Sequence, residues 1–251
     1  MKNPLILVSN DDGFRSEGIQ ALTKAMQGLG QVIVVAPDSE QSAASHALTL
    51  HRPLRVYKHS DSIYSVDGTP TDCVTLAIHE ILKKKPDFVV SGINRGANLG
   101  DDVHYSGTVS AAVEGALSKI PSVAFSLVSW GQEKPIFNSA AHYAKKIMKK
   151  VIQEGLPRGV TLNVNIPNLP LKQIKGISFA KLGKRNYEEV IFEKIDPRGR
   201  KYFWIGGDDR TFDDIPTSDG NMIQKKMVSI TPLQTDMTHY LQLEEMKGWK
   251  F

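Results

Sequence analysis

The chain has 251 residues, 23% of them charged and 41% hydrophobic, with a formal net charge of +4. At a working size of about 150 residues per domain, this composition allows one well-buried core with an appendage and excludes disordered, collagen-like and stapled miniature classes. A single cysteine, Cys73, precludes an internal disulfide, no charge-free stretch reaches the about 20 apolar residues of a membrane-spanning helix, and the apolar run 5–8 meets Asn10, Asp11 and Asp12 too soon to be a secretory signal, so a reducing cytoplasm is the expected setting.

Residues 4–10 read as a short strand, and residues 16–29 as a helix with Ile19, Leu22, Met26 and Leu29 at helical spacing. The continuous apolar run in 31–37 suits a parallel strand buried on both faces, which completes a βαβ unit. Alternation in 48–57 and 63–66 predicts a β-rich insert closed by Asp67 and Gly68. A helix follows at once, with Thr69 or Thr71 as cap, Pro70 in its first turn and Val74, Ile78, Ile81 and Leu82 as its buried stripe. Strand 87–94, a Gly-rich loop to Gly107, helix 108–119, strand 122–128, helix 137–153 and strand 161–166 continue the alternation. The fold class is therefore α/β, a mostly parallel sheet covered by helices on both faces.

From residue 188 the character changes. Residues 188–195 and 200–205, joined by the turn 196–199, form a hairpin too charged for a core pair and rich in apolar side chains, among them Val190, Phe192, Phe203 and Trp204. A short strand at 228–232 follows, and the tail 238–251 has the composition of a helix carrying Tyr240, Leu241, Leu243, Met246 and Trp249. An arm of this kind needs a surface to rest on, and a second copy of the chain is the expected one.

In an open α/β sheet the residues just beyond the strand carboxyl ends converge on one crevice. Four such ends are polar here: Asn10, Asp11, Asp12 and Gly13; Asp38 to Ser42; Ser91 to Arg95; and Ser106, Gly107 and Thr108 ahead of a helix. Adjacent carboxylates repel unless a proton or cation lies between them, so Asp11 and Asp12 suggest a divalent metal; one Asp capping the helix while the other faces water is the competing reading. A set drawn from Asp11, Asp12, Ser42 and Asn94 offers only hard oxygens, suited to Mg²⁺ or Mn²⁺ over zinc. Ser106, Gly107 and Thr108 could receive a phosphate at the helix terminus or act as a plain cap, and Asn98 is placed to hydrogen-bond a phosphate or a base. Asp101, Asp102, His46 and His104 are further polar candidates, each equally readable as a turn former or surface group, and for the two histidines that plainer reading is favoured. Gly92, Gly96 and Gly100 match no dinucleotide fingerprint and no phosphate-binding Walker loop is present, so no organic cofactor is expected. The lysine clusters 83–85 and 145–150 read as solvated helix ends, and a nucleic-acid or membrane partner is not expected.

Taken in order, VSNDDG at 8–13, APDSEQSA at 36–43, GTPTDCV at 68–74, VSGINRGANLGDD at 90–102, YSGTV at 105–109, LNVNIP at 162–167, DPRG at 196–199, YFWIG at 202–206 and VSITPL at 228–233 resemble the stationary-phase survival protein SurE family of nucleotidases. The resemblance implies a Rossmann-like core over 1–183 and a hairpin and tail over 184–251 that serve oligomerisation, one structural unit assembled as a homodimer or homotetramer. It also implies a divalent metal on Asp11, Asp12, Ser42 and Asn94, with Asp11 and Asp12 as catalytic residues. Two departures are visible: Gln41 stands where an arginine is common, and Lys226 and Met227 where glycine and tyrosine are usual; neither removes a ligand. The function implied is metal-dependent release of phosphate from nucleoside 5′-monophosphates, with 3′-monophosphates and polyphosphate as further substrates to test. A non-catalytic nucleotide-binding or regulatory protein using the same crevice is the alternative, because fold alone does not choose between them.

Overall fold

A computed structural model of the chain describes residues 3–129, 133–185, 191–205 and 212–250. Strand β1 (Leu5–Ser9), helix α1 (Glu17–Gln27) and strand β2 (Gln31–Pro37) form the expected first unit. The short strands β3 (Val56–Ser60) and β4 (Ile63–Val66) follow, then helix α2 (Pro70–Leu76), which widens into a π-helical turn at Ala77–Ile81. Next come β5 (Phe88–Arg95), a 3-10 turn (Gly100–His104), α3 (Gly107–Leu117), β6 (Ser122–Val128), α4 (Phe137–Glu154) and β7 (Val160–Pro167). The remainder holds β8 (Ile177–Phe179), the hairpin strands β9 (Ile191–Ile195) and β10 (Lys201–Ile205), α5 (Asp219–Gln224), β11 (Val228–Gln234) and α6 (Tyr240–Met246).

Nine strands make one sheet in the order β3, β4, β2, β1, β5, β6, β7, β11, β8, parallel except for the β3–β4 and β7–β11 pairs. Side chains of β1 alternate between two cores: Ile6 and Val8 pack with Ile19, Leu22 and Met148 beneath α1 and α4, whereas Leu5 and Leu7 join Cys73, Val74 and Ala111 beneath α2 and α3. A strand buried on both faces accounts for the unbroken apolar run that marks it in the sequence. After β1 the chain moves to β2 on one side and later to β5 on the other, which makes the β1–β5 boundary the topological switch point.

Several expectations need correction. The strand expected over 48–57 begins only at Val56, because Thr49 N donates to Asp72 Oδ1 at 2.9 Å and Arg55 N to Asp67 Oδ1 at 2.7 Å, and these side-chain bonds replace a ladder. Of the two threonines expected to cap α2, Thr69 does so, in a reciprocal capping box with Asp72. The tail helix is confined to Tyr240–Met246. β8 and α5 were not foreseen, being three and six residues long. β11 lies inside the main sheet, antiparallel to β7, so the last quarter of the chain contributes to the core sheet. The hairpin forms its own two-stranded sheet and exposes Ile191, Phe192, Phe203 and Trp204; its expected residues 188–190 lie outside the described ones. Among the described residues, no helix is long and apolar enough to cross a membrane.

Candidate active site

At the end of β1 the backbone turns sharply. Gly13 has φ +91°, a conformation open to glycine, and Asn10 Nδ2 braces the turn by donating to Gly13 O at 3.1 Å and Ser16 Oγ at 2.8 Å. Gln41 N donates to Asp11 O at 2.8 Å, which ties this turn to the loop after β2. The Asn94 end of β5 is displaced by a slip in its pairing with β6 between Ser91 and Asn94. These local geometries bring Asp11, Asp12, Ser42 and Asn94 to the wall of one cleft of about 920 Å³, which Asn98 and Ser106 also line.

The cleft is acidic. Asp11 is buried and its carboxyl is held above the usual range, chiefly by loss of solvent, while hydrogen bonds from Thr108 act in the opposite direction. Burial and then the charge of Asp11 push Asp12 up to about 6. Its Oδ2 accepts from Arg95 N at 3.3 Å. The charge of Glu40 raises both. Ser42 Oγ donates to Glu40 Oε1 at 2.6 Å, and Asn94 Nδ2 donates to Gly96 O at 3.2 Å, which leaves the Asn94 amide oxygen as the atom to offer a cation.

The Ser106, Gly107 and Thr108 tripeptide divides its labour. Ser106 caps α3 by accepting from Val109 N at 3.1 Å. Thr108, fully buried, donates its hydroxyl to Asp11 Oδ1, and its backbone N–H also favours the ionised Asp11. The anion seated at this helix terminus is thus the Asp11 carboxylate, where the positive end of the helix favours it. Gly107 permits the approach: a Cβ there would stand 2.8 Å from Asp11 Cβ and 3.1 Å from Pro70 Cγ.

Asn98 is immobilised by residues that sequence reading passed over. Its N donates to Asn165 Oδ1 at 2.9 Å and its Nδ2 to Ser126 Oγ at 2.7 Å, while its O accepts from Asn163 Nδ2 and Asn165 Nδ2 at 2.8 and 2.9 Å. The signal was present in the N-V-N alternation of β7, which sets two amides opposite an apolar face. Asp102 is no surface group: both its carboxylate oxygens accept from Arg185 Nη1, at 2.7 and 2.8 Å, and the two residues line the cleft. No local signal marks Arg185, which comes from beyond β8. His46 lies instead against Glu114, at 2.9 Å.

Among the described residues no three His, Cys, Asp or Glu side chains gather as a metal centre. Two carboxylates with neutral hydroxyl and amide oxygens still fit a hard cation, because the mutual repulsion of Asp11 and Asp12 favours positive charge between them.

Fold and cleft together define an α/β protein of Rossmann-like class whose polar site lies at the carboxyl ends of parallel strands, at the switch point of the sheet. A family model described as survival protein SurE matches residues 6–189. The 5′-nucleotidase SurE of Geotalea daltonii is 54% identical over 245 residues, covering 98% of each chain, and that of Geobacter sulfurreducens is 50% identical over 97% of this chain and 93% of its own. A crystal structure of the SurE protein from Aquifex aeolicus superposes with a TM-score of 0.88 at 46% identity, covering 97% of this chain and 98% of that one. The chain belongs to the SurE family.

Proposed function

We propose that this protein is a metal-dependent phosphohydrolase that releases phosphate from nucleoside 5′-monophosphates, with 3′-monophosphates and polyphosphate as further candidate substrates. The observation that carries the reading is the adjacent pair Asp11 and Asp12 in a cleft at the switch point, where burial and the charge of Glu40 raise both carboxyls and the opposing charge of Arg95 does not bring Asp12 back to its ordinary range. A protein that merely bound an anionic phosphate would gain nothing from two carboxylates there. The activity that relatives at about half identity carry in their names supports the same reading.

In this reading Asp11, Asp12, Ser42 and Asn94 hold the cation. When bound, it supplies polarisation of a phosphoryl oxygen and acidification of a water molecule. Thr108 and Gly107 act through Asp11: the hydroxyl fixes one carboxylate oxygen and the missing side chain lets the helix terminus approach. Ser106 and the rigidly held Asn98 face the phosphate, and the Arg95 and Arg185 side chains on the cleft wall favour its negative charge. The exposed apolar side chains of the hairpin and of α6 support assembly as a homodimer or homotetramer.

Purified protein incubated with AMP should release phosphate when Mn²⁺ or Mg²⁺ is supplied and stop when a chelator is added. Equal rates under the two conditions contradict the metal assignment, and binding without turnover in a long incubation supports the non-catalytic alternative instead.

A further inference from the structure

Tyr105 stands apart from the other exposed aromatic residues. It is 61% exposed and lies on the wall of the acidic cleft, where it is the one aromatic residue among the described lining residues. Its backbone is pinned on both sides: Tyr105 N donates to Asp102 O at 3.0 Å, and Tyr105 O accepts from Ser45 N at 3.1 Å. Ser45 Oγ adds a bond to His104 O at 2.7 Å. The next residue is Ser106, the cap of α3. The ring is therefore carried by a fixed segment between the loop of Ser42 and the helix terminus, and an aromatic face is presented beside the carboxylates without being packed away.

We propose that Tyr105 is the stacking platform for the nucleobase, and thus a specificity-determining residue that separates nucleotides from base-free phosphate esters. The proposal rests on the hydrolase reading above and adds the position of the base. A cleft of about 920 Å³ has room for a sugar and base beside the phosphate. Among the described residues its remaining lining is small, amide or charged, so Tyr105 offers the one aromatic ring there to a base. Stacking on a ring tolerates any base because every base has a π-face, so this surface selects the class of nucleotides over other monoesters and favours no single base.

The test compares AMP with ribose 5-phosphate, which keeps the sugar and phosphate but lacks the base. In Tyr105→Ala the ratio of kcat/KM for AMP to that for ribose 5-phosphate should fall about tenfold or more, chiefly through KM for AMP, and in Tyr105→Phe it should stay within about twofold of the wild type. Calorimetric titration of AMP and of ribose 5-phosphate onto the wild type and Tyr105→Ala reads the same difference as affinity, even for a protein without turnover, so failure of the hydrolase reading and failure of this one remain distinguishable. An unchanged ratio, an equal loss on both ligands, a loss in Tyr105→Phe as large as in Tyr105→Ala, or a change of assembly mass in Tyr105→Ala overturns the proposal.

Discussion

The hydroxyl of Thr108 carries a role that its sequence position disguises. Read as part of a phosphate-binding cap, it donates instead to Asp11, so its effect on a phosphate passes through the carboxylate. Thr108→Val keeps the shape and removes the donor; hydrogen bonds to charged groups contribute about 1.5–3 kcal/mol, so a fall in kcat/KM of about tenfold to a hundredfold is expected, with Thr108→Ser close to wild type. Steady-state kinetics of the two variants check this. Asp12 supplies a pH signature. Its folded pKa, about 6, lies above the ordinary 3.8, so in metal-free protein its contribution to stability is present below about pH 4 and is lost as pH rises through about 6. A divalent cation relieves that loss, and the rise in Tm on adding Mn²⁺ should be larger at about pH 7.5 than at about pH 5. An equal rise at both pH values in a thermal melt speaks against Asp12 as a ligand.

At the scale of elements, the rim of the cleft is held by a residue far from it in sequence. Asp219, fully buried at the start of α5, accepts from Gly100 N, Gly183 N and Gly220 N, each at 2.8 Å. It thereby fastens the 3-10 turn that carries Asp102 to the segment that leads to Arg185. Burial raises its carboxyl above the ordinary range in spite of those three donors. Asp219→Ala leaves buried N–H groups without this acceptor and should cost about 2 kcal/mol or more in urea unfolding, with Asp219→Asn losing less; a change below about 0.5 kcal/mol would mean that the turn is held by other bonds. Asp11, Asp12, Ser42 and Asn94 were legible in the sequence because each lies within a few residues of a strand end and the topology of parallel sheets brings such ends together. Asp219 and Arg185 were not, because their roles depend on partners 119 and 83 residues away. Asn163 and Asn165 lie between, visible as polar residues in a buried strand but with a partner, Asn98, that only the fold supplies.

For the whole molecule, the alternation of strand and helix made the central sheet readable, whereas the antiparallel insertion of β11 between β7 and β8 was hidden: a run of seven residues states that it is a strand but not which neighbour it takes. The apolar surfaces lie at the periphery. Trp204, Phe203 and Ile191 on the hairpin and Leu241 and Trp249 near α6 are each more than half exposed, a load that a lone chain rarely carries. Light scattering should report a mass of two or four times the 27.8 kDa of one chain, and deletion of residues 188–205 should lower it. A stable wild-type monomer at micromolar concentration contradicts the assembly and leaves the cleft unaffected.

The central claim is that Asp11 and Asp12 hold a cation on which phosphate release depends, and paired measurements on Asp12→Asn test it most directly: calorimetric Mn²⁺ affinity and the rate of phosphate release from AMP at saturating Mn²⁺. The account predicts weaker Mn²⁺ binding and a rate lower by about a hundredfold or more, with the circular dichroism spectrum of the fold retained. A wild-type rate at saturating metal would show that Asp12 is a cap or a solvated surface group, and would contradict the account.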